Sequence, residues 1–97
     1  MLVATMELCL RLHGCRSLKD KRRVLRSLLQ KSRQDLHVSA AETGDHDLWG
    51  NAVIGVAAVT ADADLAQSIL QRVLDLYEDH PQVEVESVYR ELIRTGP

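Results

Sequence analysis

An α+β fold, with two helices laid on one face of a four-stranded antiparallel sheet, is predicted by three features of the chain. Apolar side chains alternate strictly near the N-terminus, and two later segments repeat theirs every three to four positions behind a capping residue. The elements also follow one another as strand, helix, strand, strand, helix, strand. This βαββαβ order is the split βαβ, or ferredoxin-like, arrangement, formed as a single domain over residues 1–97. The first and third strands are expected to be central and parallel neighbours, each feeding a helix, with the opposite sheet face left uncovered.

Each element has its own signal. In residues 2–12 the side chains of Leu2, Ala4, Met6, Leu8, Leu10 and Leu12 share one parity, against Val3, Thr5, Glu7, Cys9 and Arg11 on the other, which makes a strand with one buried face. After the turn "HGCR", Ser17 stands as an N-cap with Asp20 three residues on, an approximate capping box that opens a helix over 18–36. Leu18, Leu25, Leu29 and Leu36, extended by Val24 and Leu28, form its sheet-facing stripe. "HVSAAE" is a short strand, "TGDHDLWG" a polar loop, and "NAVIGVAAVT", apolar on both parities, a central strand. Asp62 caps a second helix carrying Leu65, Ile69, Leu70, Val73, Leu74 and Tyr77, which Pro81 stops. The final segment, "QVEVESVYRELI", alternates Val83 and Val85 with Glu84 and Glu86.

Composition narrows the class. Hydrophobic residues at 45% and charged residues at 27% belong to a soluble globular protein, but aromatics are 3% with no Phe, so the core is aliphatic. No apolar run approaches the roughly 20 residues needed to span a bilayer, and no membrane association is expected. Cys9 and Cys15 follow no signal-peptide pattern, which points to a reduced, cytoplasmic setting.

The formal net charge is -2, yet residues 1–36 hold nine Lys/Arg against three Asp/Glu, while residues 37–97 hold three against eleven. Such asymmetry concerns partners rather than fold. On a helical wheel Lys19, Arg22, Arg23, Arg26 and Arg33 form one exposed flank, with Lys21 at its apolar border. Lys19, Lys21, Arg22 and Arg23 also crowd the helix N-terminus, where the dipole favours anions and a misplaced cation costs a few tenths of a kcal/mol. An anionic ligand, phosphate above all, resolves that conflict. Base stacking on the open sheet face is not expected, because the first and third strands carry no aromatic and the face presents Glu7, Glu84 and Glu86. Phosphate contact through the helix flank remains, with a log–log salt slope of roughly -3.5 to -4.5 for five contacts.

Other chemistry is weakly signalled. Glu42, Asp45, His46 and Asp47 lack regular ligand spacing, so no metal is expected. Trp49 is expected to plug the end of the core between the second and third strands, its ring otherwise serving as a partner anchor. There is no phosphate loop, G-x-G-x-x-G, H-E-x-x-H or C-x-x-C, and nothing orients Cys9, His13 or Cys15 as a nucleophile–base pair. A protein without catalytic activity or cofactor is expected.

The segments "SLKDKRRVLRSLL", "AAETGDHDLWGNAVIGVA" and "VEVESVYRELI" resemble the YlxP-like family of small bacterial proteins of unassigned function, over nearly the whole chain. Its motif positions fall here on Ser17, Leu18, Lys19, Asp20, Lys21, Arg22 and Arg23, then on Glu42, Asp47, Leu48 and Trp49. The resemblance implies the ferredoxin-like fold and a bacterial cytoplasmic protein. It also implies work on RNA or the ribosome, since genes of that family tend to lie beside those for transcription termination, translation initiation and ribosome maturation factors. The expected function is therefore RNA or ribosomal-particle binding through Lys19, Lys21, Arg22, Arg23, Arg26 and Arg33. The alternative is a homodimeric small-ligand or protein-interaction module, paired through the open sheet face, because the third strand leaves no polar side for water.

Overall fold

The computed structural model describes residues 1–96. The chain runs β1 (Leu2–Leu12), α1 (Leu18–Asp35), β2 (Ser39–Gly44), β3 (Asn51–Thr60), α2 (Ala63–Glu78) and β4 (Val83–Arg94). The strands form one sheet in the order β2-β3-β1-β4, with both helices on the same face, which is the ferredoxin-like βαββαβ fold. β1 and β3 are the central neighbours, as expected, but they run antiparallel rather than parallel. The reason is topological: the crossover through α1 returns the chain to β2 in the direction of β1, and the β2–β3 hairpin then reverses it.

The alternation in β1 translates directly into burial, with Ala4, Met6, Leu8, Leu10 and Leu12 turned towards the helices. They meet Ala52, Ile54 and Val56 of β3, Val24, Leu25 and Leu28 of α1, and Ala66, Leu70, Val73 and Tyr77 of α2. Asp62 caps α2 by accepting from the Asp64 and Leu65 amides. Leu65, expected in the core, is instead exposed, and Ala66 takes the position beneath the sheet. The one large buried aromatic, Tyr77, has its hydroxyl 3.2 Å from Ser32 Oγ. The single proton of Ser32 goes to the Leu28 carbonyl at 2.8 Å, so Tyr77 is the donor of that pair. Burial pushes the Tyr77 phenol above its ordinary value, partly offset by Ser32 and Arg33.

Two irregularities matter for the surfaces. In β2 the register shifts between Glu42 and Gly44, so Thr43 is an extra residue and Glu42 keeps the parity of buried Ala40, on the helix side. In β4 a second shift puts Cys9 opposite Ser87 but Leu10 opposite Val85. Beyond it the parity of β4 inverts, and Tyr89 and Ile93 fall on the open face.

Candidate nucleic-acid interface

The candidate surface is built from the start of α1. Ser17 Oγ accepts from the Asp20 amide at 3.1 Å, and the Asp20 carboxylate reaches back to the Arg16 amide at 3.1 Å, a capping box displaced by one residue. The Asp20 carboxylate, the acidic group of the first turn, therefore lies beside the helix start, bonded to the amide that precedes the cap.

Lys19, Arg22, Arg23 and Arg26 lie exposed along one side of α1. Among the described residues the ion pairs are Arg11 with Glu86 at 3.0 Å and Lys21 with Glu42 at 2.7 Å, so none of these four cations is spent on a carboxylate. Arg33 continues the line but is tethered: its Nε and Nη2 both donate to the Ala40 carbonyl, at 3.0 and 2.6 Å. Between this flank and the edge of β2 runs a groove of about 530 Å³, with Leu25 and Leu29 at its floor, Arg22, Arg26 and Arg33 along it, and Glu42 at one side. A second groove of about 430 Å³ on the outer side of the helix is lined by Lys19, Arg22, Arg23 and Arg26.

Lys21 does not belong to this surface. Only 1% of the residue is exposed, and its ammonium donates to the Asp45 and Leu48 carbonyls at 2.7 and 2.6 Å while lying 2.7 Å from Glu42 Oε2. Glu42 Oε2 has no well-aligned hydrogen bond, so charge rather than directed bonding holds it there. The assignment of Lys21 to phosphate is therefore corrected: all three of its proton directions face the protein. The signal was present in the sequence, since at 100° per residue Lys21 falls between Leu25 and Leu28, inside the apolar arc. The buried line of α1 is Lys21, Val24, Leu25, Leu28 and Ser32, displaced from the predicted stripe, whose Leu18, Leu29 and Leu36 form a half-buried border.

This node ties the two halves of the sequence motif together. Lys21 in the first segment grips Glu42 and the loop before Trp49 in the second, fixing how that loop leaves β2. The loop is a tight turn, with Asp45 in the left-handed region (φ 57°) and the Leu48 amide donating to the Asp45 carbonyl at 3.0 Å. Trp49 is 49% exposed and Leu48 48%, so Trp49 is no plug: with the loop backbone turned to Lys21, both side chains face outward. Asp47 is exposed on the same turn. His46 reaches the Glu42 carbonyl at 3.2 Å while the Glu42 carboxylate faces Lys21, so these side chains do not converge; no metal-holding cluster of three or more His, Cys, Asp or Glu occurs among the described residues. Burial, with Asp20 adding, raises the Cys15 thiol, the opposite of an activated nucleophile. No helix among the described residues is long and apolar enough to cross a membrane.

The open sheet face is graded. Across it run the rows Val59–Val3–Ile93, Ala57–Thr5–Glu91, Gly55–Glu7–Tyr89 and Asn51–Arg11–Glu84, apolar only in the first and carrying carboxylates in the others. Val59 is 68% and Tyr89 65% exposed, and the Arg11–Glu86 pair marks the polar end.

Comparison with known proteins agrees with this architecture. The model of the family described as "Protein of unknown function (DUF503)" matches residues 3–90. "Uncharacterized protein YlxP" of Bacillus subtilis (strain 168) is 37% identical over 68 residues, which are 70% of this chain and 74% of that protein. Among solved structures, the solution NMR structure of a de novo designed protein with ferredoxin fold matches with a TM-score of 0.57 at 11% identity, over 98% of this chain and 88% of that one. At that identity the likeness concerns fold alone.

Proposed function

The chain belongs to the DUF503 family, and we propose that it is a non-catalytic RNA- or ribosome-associated binding protein that contacts phosphates through the basic flank of α1. The observation that carries this is the row Lys19, Arg22, Arg23 and Arg26, exposed and without carboxylate partners in a chain of net charge -2. Unpaired like charges on successive turns repel one another and are stabilised by a polyanion that displaces its own counterions on binding. Binding of this kind is guided by shape, sensitive to salt and weak in sequence preference. Co-sedimentation with ribosomal subunits and with free structured RNA, at low and moderate salt, tests it against the Arg22→Glu/Arg23→Glu/Arg26→Glu variant. Salt-sensitive pelleting that the variant loses is expected; pelleting retained by the variant places the contact elsewhere.

A second reading is supported by a separate observation. The exposed Val59 and Ile93 flank Val3 in one row of the uncovered sheet face, with Ala57 beside them and the exposed Tyr89 beyond Thr5 and Glu91, and the simplest cover for this apolar end is a second copy of the chain. Light scattering at micromolar concentration is expected to give a dimer mass that Val59→Glu halves. A monomer mass for the unmodified chain removes this reading. The two are compatible, since a dimer paired through its open faces leaves both basic helices outward.

A further inference from the structure

From the groove between α1 and β2 we infer that the RNA contact includes a single unstacked nucleotide, its base laid in the groove and its phosphate held at the rim; this rests on the phosphate-binding reading above. The groove differs from a plain basic surface in three ways. Its floor is apolar, formed by Leu25 and Leu29, and its volume of about 530 Å³ lies in the range of small-ligand sites, roughly 300–1,000 Å³. Phosphates alone have no use for such a floor.

Arg33 forms one wall in a fixed pose. Because Nε and Nη2 both donate to the Ala40 carbonyl, the guanidinium plane is set before any ligand arrives. A planar cation held still is a platform on which a base stacks with little further loss of rotamer freedom. Arg22 and Arg26, one helical turn apart and without carboxylate partners, stand along the groove where the sugar-phosphate backbone would pass.

The third feature is polar and directional. Glu42 lines the groove and has Oε2 occupied by Lys21, which leaves Oε1 to accept a hydrogen bond, while the Gln34 amide supplies both a donor and an acceptor. A carboxylate repels phosphate and accepts from the amino groups of a base edge, so the base points towards Glu42 and the phosphate towards Arg22 and Arg26. Duplex RNA cannot offer a base in this way, whereas single-stranded loops and ends can.

The test is fluorescence anisotropy with a labelled unstructured single-stranded RNA and a blunt duplex of equal length. Phosphate contacts alone favour the duplex with its denser charge, so the expected single-strand preference, roughly tenfold, requires base contact. Arg33→Lys keeps the charge but loses the plane: it is expected to bring the ratio to parity or below with the salt slope unchanged, and Gln34→Ala, an exposed substitution, to lower the ratio in the same sense. Equal binding of both RNAs by the unmodified chain, or a preference that survives Arg33→Lys, overturns the nucleotide groove while leaving phosphate binding in place. Absence of binding to either RNA overturns both. Competition by AMP or GMP at micromolar concentration, lost in Arg33→Lys, would assign the groove to a free nucleotide and remove the RNA strand as its occupant.

Discussion

Replacing Lys21 with Met retains most of the buried stem and deletes only the ammonium. What remains is Glu42 facing an apolar end, together with the Asp45 and Leu48 carbonyls that had accepted from Nζ. Breaking a buried ion pair by removing one partner costs about 3–5 kcal/mol. Here the lower end applies, because the Glu42 side chain is 21% exposed and the carbonyls belong to an exposed turn that water can reach. A loss of about 3 kcal/mol in a domain of this size lowers Tm by roughly 12–24 °C. Urea denaturation followed by far-UV circular dichroism measures it, with the midpoint moving and the m-value unchanged. The double variant Lys21→Met/Glu42→Leu is expected to recover most of the loss, since an apolar pair replaces an ion pair at little cost. If Lys21→Met lies within about 0.5 kcal/mol of the unmodified chain, the clasp between α1 and the β2–β3 loop does not exist as described.

Other outcomes follow from single positions. His37 adopts φ 55° just after α1, so His37→Gly is expected to stabilise by about 0.5–1 kcal/mol, seen as a Tm higher by a few degrees; a lower Tm contradicts this. Tyr77 and Cys15 hold their protons more tightly folded than unfolded. Stability is therefore full below the ordinary thiol value of 9.0 and declines as pH rises past it and then past the phenol value of 10.0. Urea midpoints from pH 8 to 11 should fall accordingly, and Tyr77→Phe should flatten the upper part of that decline. Tyr77→Phe itself should cost about 1 kcal/mol at neutral pH, because Ser32 loses its donor.

How much of this was legible in the sequence depended on periodicity. β1 and α2 follow from spacing and caps, because one-sided burial writes itself into alternation and helical repeats, and β3 from a run apolar on both parities. Strand direction was misassigned where the path through α1 and the hairpin had to be traced in three dimensions. Lys21 was misplaced because long cations are mostly exposed, a tendency that outweighed its position between Leu25 and Leu28. Trp49 was misplaced for the converse reason: a lone large aromatic usually finds the core, but here the carbonyls gripped by Lys21 set the loop and leave the ring outside. The inverted parity of β4, which brings Tyr89 to the open face, arises from a bulge that two-residue alternation cannot anticipate.

The central claim is that Lys19, Arg22, Arg23 and Arg26 meet phosphates, and the salt dependence of RNA affinity addresses it most directly. With Arg33 tethered to Ala40, four free contacts predict a log–log slope of roughly -2.8 to -3.6 for the unmodified chain. The Arg22→Glu/Arg23→Glu/Arg26→Glu variant, with only Lys19 left, should give a slope shallower than about -1. Equal slopes in the two proteins would contradict the account and leave the cations of α1 as a solvated face.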